Sequence, residues 1–181
     1  MTADFPAKPG NWIVRPGRLD DLDQLAAIDA ACFPPGIAYP LHYLRQLVGA
    51  TTSITRVAVP PSAVDDSIAS NPASGEISAG ASAIAGFAIL EVRRHAPAIV
   101  GELVTIDVLA GARRQGIGQL LHAAVERAVQ HRDGHRIRLQ VSVENEPAIR
   151  FYEQMGYRRR GRIPRYYMGK IDAWWMEKCW E

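Results

Sequence analysis

Arg113-Arg114-Gln115-Gly116-Ile117-Gly118 stands directly ahead of a strongly amphipathic run that ends near Gln130. That order suits an anion. A helix start leaves four backbone N–H groups without intrahelical partners and carries about half a positive charge, and a phosphate answers both needs. Glycine at positions 116 and 118 lets oxygens approach the backbone, where a Cβ would hold them off. The stretch is not a Walker loop, because no Gly-Lys-Ser/Thr follows. It is not the dinucleotide fingerprint either, which needs a third glycine and an acidic residue about 20 positions on. It reads as a pyrophosphate cradle of another kind. The competing reading is an arginine-rich turn with helix-start glycines.

A second stretch, QVSVENEPAIRFYEQMGY from Gln140 to Tyr157, offers acid chemistry. Asn145 and Tyr152 lie two helical turns apart, so they share a face with Ala148 and Phe151 nearby. A tyrosine hydroxyl of pKa about 10 can protonate a departing thiolate, whose own pKa is about 8–9. Taken by itself, the same pattern also fits a buried aromatic pair, Phe151 and Tyr152. Metal chemistry is not expected: Cys32 and Cys179 form no C-x-x-C, and His42, His95, His122, His131 and His135 are scattered without ligand spacing. The cysteines are read as reduced, buried thiols and the histidines as exposed helix or loop residues.

The elements that must hold these groups follow from hydrophobic periodicity. Ile117, Leu120, Leu121, Ala124, Val125, Ala128 and Val129 keep an unbroken helical stripe, with Gln119, His122, Glu126, Arg127 and Gln130 on the polar side. Asn145 can cap a short helix with Pro147 in its first turn and Gly156 at its end. Strands are expected at Trp12–Val14, Ile54–Val59, Ile84–Val92, Glu102–Val108, RIRLQVSV, YRRRGRI and KIDAWWMEK. An early helix carries Leu22, Leu25, Ala26 and Ile28, and a second carries Leu41, Leu44, Leu47 and Val48, with the proline-rich CFPPGIAYP between them. On the last strand Trp174 and Trp175 face opposite ways, one to the core and one to a dimer or substrate surface.

A chain of 181 residues fits one domain. Residues 1–10 read as a loose lead-in, 11–181 as the domain, and the Pro/Ser/Ala/Gly-rich stretch 60–82 as a mobile excursion at a sheet edge. The net charge of +2 implies no polyelectrolyte partner. YRRRGRIPRYY concentrates arginines, yet a solvated strand edge explains it more simply than RNA contact. Neither a secretory leader nor a membrane-spanning run is seen, so a cytoplasmic protein, monomeric or homodimeric, is expected.

The two stretches together resemble the GNAT superfamily of acetyl-CoA-dependent N-acetyltransferases. Arg113, Gly116 and Gly118 match its Arg/Gln-x-x-Gly-x-Gly/Ala motif. Asn145, Ala148, Ile149, Tyr152, Gly156 and Tyr157 match its later Asn-x-x-Ala-Ile-x-x-Tyr-x-x-x-Gly-Phe/Tyr pattern. The likeness runs from about Trp12 to Lys178, with the 60–82 stretch outside it. It implies an α/β (α+β) fold: a mixed, mostly antiparallel sheet of about six to seven strands with about four helices. Strands 4 and 5 splay apart to hold acetyl-CoA.

On that resemblance, Ile106, Asp107 and Val108 line the pantetheine arm through their backbone. Arg113 supplies the cradle motif, and Arg114, Gln115, Gly116, Ile117, Gly118 and Gln119 wrap the pyrophosphate. Asn145 contacts the pantetheine arm or the amine, and Tyr152 is the general acid. An N–H near Val108 serves as the oxyanion donor. Within the superfamily the likeness is closest to ribosomal-protein-alanine and other protein N-terminal acetyltransferases, through Tyr166, Tyr167, Asp172 and Ala173. The tyrosine pair then lines a groove for a peptide, with a simply packed loop as the alternative, and Tyr39 in the proline-rich loop borders it.

One residue departs from that pattern. Gln140 occupies the position where the ribosomal enzymes offer a glutamate base, and a neutral amide cannot accept the proton. Glu102 on the neighbouring strand is the substitute candidate. Otherwise an α-amine of pKa about 7.7–8.0 needs little help. The alternatives are an acetyltransferase for small amines and a non-catalytic acyl-CoA-binding module.

Overall fold

The computed structural model describes residues 11–61, 83–95 and 98–180. The lead-in at 1–10 and most of the 60–82 excursion lie outside these residues. Among them are β1 (Ile13–Pro16), α1 (Leu22–Cys32), α2 (Leu41–Gly49), β2 (Ser53–Val59), β3 (Gly86–His95) and β4 (Ala98–Val108). There follow α3 (Ile117–Gln130), β5 (Gly134–Ser142), α4 (Glu146–Gln154), β6 (Arg158–Tyr167) and β7 (Ile171–Cys179). The strands make one seven-stranded sheet in the order β1-β2-β3-β4-β5-β7-β6. All neighbours are antiparallel except β4 and β5.

That parallel pair positions the site. Its register runs only from Ile99↔Gly134 to Glu102↔Arg138. Beyond it, Leu103–Val108 and Leu139–Ser142 diverge, each held by its other neighbour, β3 or β7. The expected splay is present. Connecting two parallel strands requires a crossover, and α3 supplies it, laying its apolar stripe on β2, β3, β4 and β5. Leu121, Val125 and Val129 are fully buried there, with Leu90, Ile137 and Leu139 in the same core. A second core, built from Leu25, Ile28, Leu44, Leu47, Phe87 and Ile89, joins α1 and α2 to the opposite face.

Three expectations change. His122 is not on an exposed face: it is 1 % exposed, because its flank of α3 packs toward Tyr157, whose hydroxyl lies 3.0 Å from His122 Nε2. Cys179 is exposed at the sheet end and Cys32 half-buried, so only the latter resembles the expected buried thiol; both are free. Several strands also run longer than the pattern indicates, β4 starting at Ala98 and β6 continuing through Pro164 to Tyr167. Proline is tolerated in β6 because the strand is the sheet edge and its register breaks between Ile163 and Tyr167. Of the tryptophans, Trp174 packs on the main core beneath Arg159 and Arg162. Trp175 lies half-buried under Arg138, 5.5 Å from its guanidinium carbon.

Candidate functional site

The split between β4 and β5 opens into a cleft of about 670 Å³. Ile106, Asp107 and Val108 form one wall; Arg113, Arg114, Gly116, Ile117, Gly118 and Gln119 form its rim; Asn145 and Tyr152 come from α4. At the rim, Gly116 caps α3 with φ +80, a left-handed conformation for which glycine is suited, and no side chain bonds the first-turn amides. Amides left without a cap are what an anion at a helix start would meet. Arg114 also holds a positive φ of 62, a conformation that costs a non-glycine residue about 1–2 kcal/mol.

Two cradle residues use their side chains elsewhere. Gln115 does not line the cleft: its Oε1 accepts from Trp12 Nε1 at 3.2 Å and its Nε2 donates to the Gly111 carbonyl at 3.3 Å, bracing the loop from behind. Arg113 stays exposed, with Nε donating to the Val108 carbonyl at 3.0 Å. Asn145 Oδ1 accepts the Ala148 amide at 3.2 Å, so it caps α4. Tyr152 is buried, at 9 % exposure, and its phenol is pushed above its ordinary range by burial first and by the Asp107 charge second. It is therefore protonated through the physiological range, the state a general acid needs.

A second, smaller cavity of about 150 Å³ lies further back along β4. Its walls bring together all the acceptor-side candidates: Tyr39, Gln140, Tyr166, Tyr167 and Glu102. Tyr43, Glu91, Arg93, Leu103 and Val104 complete it. The tyrosines answer a need created by the splay. Tyr167 donates its hydroxyl to the Gln140 carbonyl at 3.2 Å, and Tyr39 makes a longer 3.5 Å contact with the Val104 carbonyl. Both carbonyls belong to stretches where β4 and β5 no longer pair, and a buried carbonyl without a partner is costly. Burial pushes the Tyr167 phenol up to about 12 and raises Tyr39 and Tyr166 as well.

Sequence reasoning missed Tyr43, in the first turn of α2 just past the Tyr39 loop, and the acid Glu91, which sits directly opposite Glu102 in the β3–β4 register. The nearness of Tyr43 to Tyr39 in sequence could have found the first. The second depends on a register shift at Ile89/Leu90 that no local pattern announces. Glu91 is tied to Arg93 at 3.0 Å. Cys32 and Phe33, at the end of α1, also reach the larger cleft unannounced. Among the described residues no group of three or more metal-ligating side chains forms. No described helix is long and apolar enough to cross a membrane.

An uncapped helix start leading along a split sheet to a buried phenol is an arrangement that a long thioester carrier would fit. Residues 42–157 match the acetyltransferase (GNAT) family, and the chain belongs to it. It is an acetyltransferase with acetyl-CoA as co-substrate. An N-alpha-acetyltransferase of Saccharolobus solfataricus is 28% identical over 174 residues, covering 94% of this chain and 95% of the relative. N-alpha-acetyltransferase 30 of Schizosaccharomyces pombe is 34% identical over 73 residues, 40% of this chain and 49% of the relative. Among solved structures, Arabidopsis thaliana NAA60 in complex with acetyl-CoA superposes with a TM-score of 0.74 at 20% identity, covering 93% of this chain and 98% of that one. The Escherichia coli ribosomal-protein-S18-alanine N-acetyltransferase gives 0.72 at 18%, covering 93% of each chain. Likeness at these identities is one of fold.

Proposed function

We propose that this chain transfers the acetyl group of acetyl-CoA to the α-amino group of a protein or peptide. The observation that carries the reading is the tyrosine-lined cavity beside Glu102, reached from the same strand that walls the coenzyme cleft. The relatives named N-alpha-acetyltransferase support it. In this reading, residues 11–181 form one catalytic domain in the reducing cytoplasm.

The chemistry follows from the positions. First-turn amides of α3 bind the diphosphate, aided by Arg114. The backbone of Ile106 to Val108 orients the pantetheine arm, and an N–H near Val108 stabilises the charge that develops on the thioester oxygen. The free amine attacks the carbonyl carbon and the C–S bond breaks. Tyr152 gives its proton to the departing sulfur. The proton lost by the nitrogen goes to the Glu102 carboxylate or through water to solvent, because Gln140 cannot take it. Tyr39, Tyr166 and Tyr167 hold the first residue of the acceptor.

The modest size of the acceptor cavity, about 150 Å³, favours a second reading in which the acceptor is a small amine. Thiol release from acetyl-CoA, measured against a peptide library and a panel of small amines, decides between them. Peptides are expected to be the better acceptors. Tyr152→Phe is expected to lower kcat by about 10²–10⁴ while leaving the Kd for acetyl-CoA unchanged. A variant as fast as the parent would remove Tyr152 from the mechanism.

A further inference from the structure

At and behind the cleft wall lie two carboxyl groups whose side chains the proposed reaction does not use. Asp29, on α1, is fully buried, and Asp107, on β4, is 2 % exposed. Each has one oxygen satisfied: Asp29 Oδ2 accepts the Tyr39 backbone N–H at 2.6 Å, and Asp107 Oδ1 accepts the Thr105 hydroxyl at 2.7 Å. Each has one oxygen left over. Asp29 Oδ1 and Asp107 Oδ2 are buried with no donor, and the two side chains lie within hydrogen-bonding reach of one another.

Two facing carboxylates cannot both stay ionised in so dry a place. The nearest cation, Arg113, is exposed and commits its Nε to the Val108 carbonyl. The other titratable groups around the pair are Cys32 on α1, Tyr39 on the loop and Tyr152 on α4, and burial keeps all three protonated. None can neutralise a carboxylate. One proton held by the pair would remove the repulsion and supply the donor that the carboxyls lack.

We propose that Asp29 and Asp107 share one proton, and that this bond is a positioning device tying the loop that carries Tyr39 to the strand that walls the coenzyme cleft. The chain of contacts is continuous: Thr105 to Asp107, Asp107 through the proton to Asp29, Asp29 to the Tyr39 amide. Tyr39 in turn reaches the acceptor cavity. The consequence for catalysis rests on the N-acetyltransferase reading: acceptor binding, more than turnover, is coupled to the proton.

Burial pushes both carboxyls up, Asp107 to about 8. Above that pH the proton leaves, two like charges face each other, and the tie becomes a repulsion. The test compares the parent chain with Asp107→Asn, whose amide can donate to Asp29 at every pH, and with Asp107→Ala, which cannot donate at all.

The infrared band of a protonated carboxyl is expected in the parent at pH 7, is expected to fade above pH 8, and is expected to be absent in Asp107→Asn. Protection of the Tyr39 amide from hydrogen exchange is expected to fall by up to about tenfold per pH unit above 8 in the parent and to stay level in Asp107→Asn. KM for the acceptor is expected to rise over the same interval, with kcat changed less, and Asp107→Ala is expected to show high KM at every pH. Asp107→Asn following the parent's pH profile in both exchange and KM would overturn the proposal. So would a missing carboxyl band. If no amine is acetylated, the enzymatic reading fails on its own, and the infrared and exchange measurements still decide the shared proton.

Discussion

Gly86 offers a sharp test of how the sheet sets the thioester position. It pairs with Val108 across β3 and β4, and a Cβ built on it falls 2.5 Å from the Asp107 carbonyl oxygen, 3.1 Å from Val108 Cγ2 and 3.2 Å from Val108 Cα. The closest of these atoms is backbone and has no rotamer to escape into. Gly86→Ala therefore forces β3 and β4 apart by about half an ångström or more, an overpacking that costs roughly 1–3 kcal/mol. In a chain of this size each kcal/mol lowers Tm by about 2–4 °C, so a drop of about 2–12 °C is expected in a thermal melt. The displaced residues are those proposed to orient the pantetheine arm. Misplacing a reacting group by 1 Å can cost about 10²-fold, so kcat/KM is expected to fall by roughly one to two decades. Gly49→Ala is the control. It lies in α2 with no foreign atom nearer than 3.9 Å, and alanine there is expected to be neutral or to stabilise by about 0.5–1 kcal/mol. If Gly86→Ala melts and turns over like the parent, β3 does not set the position of Val108.

Two further outcomes are expected. His122 is buried and its pKa is lowered to about 4, chiefly by burial, with Glu126 opposing and Lys178 assisting; the unfolded chain binds a proton near pH 6.5 that the folded one refuses. Stability from this group is complete above about pH 6.5 and is lost as pH falls toward 4, by roughly 3 kcal/mol; denaturant unfolding should show this slope, and His122→Gln should flatten it. Glu102→Gln is expected to lower kcat by about 10²-fold or more at pH 7 if Glu102 takes the amine proton, with part of the loss recovered as pH rises and the acceptor deprotonates itself. An unchanged pH–rate profile would leave the proton to solvent alone.

Local features made the elements around the larger cleft readable. The stripe of α3 repeats without a gap, Asn145 and Pro147 mark the start of α4, and the loop from Arg113 to Gly118 is contiguous in sequence, so each element carries its own signal. His122 misled because helical periodicity names one buried face, whereas α3 is covered both by the sheet and by the Tyr157 and Lys178 side chains, which reach its flank. Lys178 meets Glu126 at 2.7 Å, and Glu126 lies 3.4 Å from His122 Nδ1. Asp29 and Asp107 were beyond reach for a different reason. They are separated by 78 positions, each reads alone as an ordinary polar residue, and only the packing of α1 on β4 makes them a pair. The β4 pattern is likewise continuous through Glu102, with nothing in its side chains to tell where pairing with β5 stops.

That stop is what ties the two cavities together. Parting parallel strands frees backbone carbonyls that a regular sheet would satisfy, and here side chains from other elements take their place. Tyr39 from the α1–α2 loop reaches Val104, Tyr167 from β6 reaches Gln140, and Arg113 from the cradle, with Cys32 at 3.6 Å, reaches Val108. These caps are also residues of the two cavities or of their rims. The open sheet is thus held open by groups that also line its two cavities, which is why the cavity tyrosines, Arg113 and the split strand have to be understood as one structure.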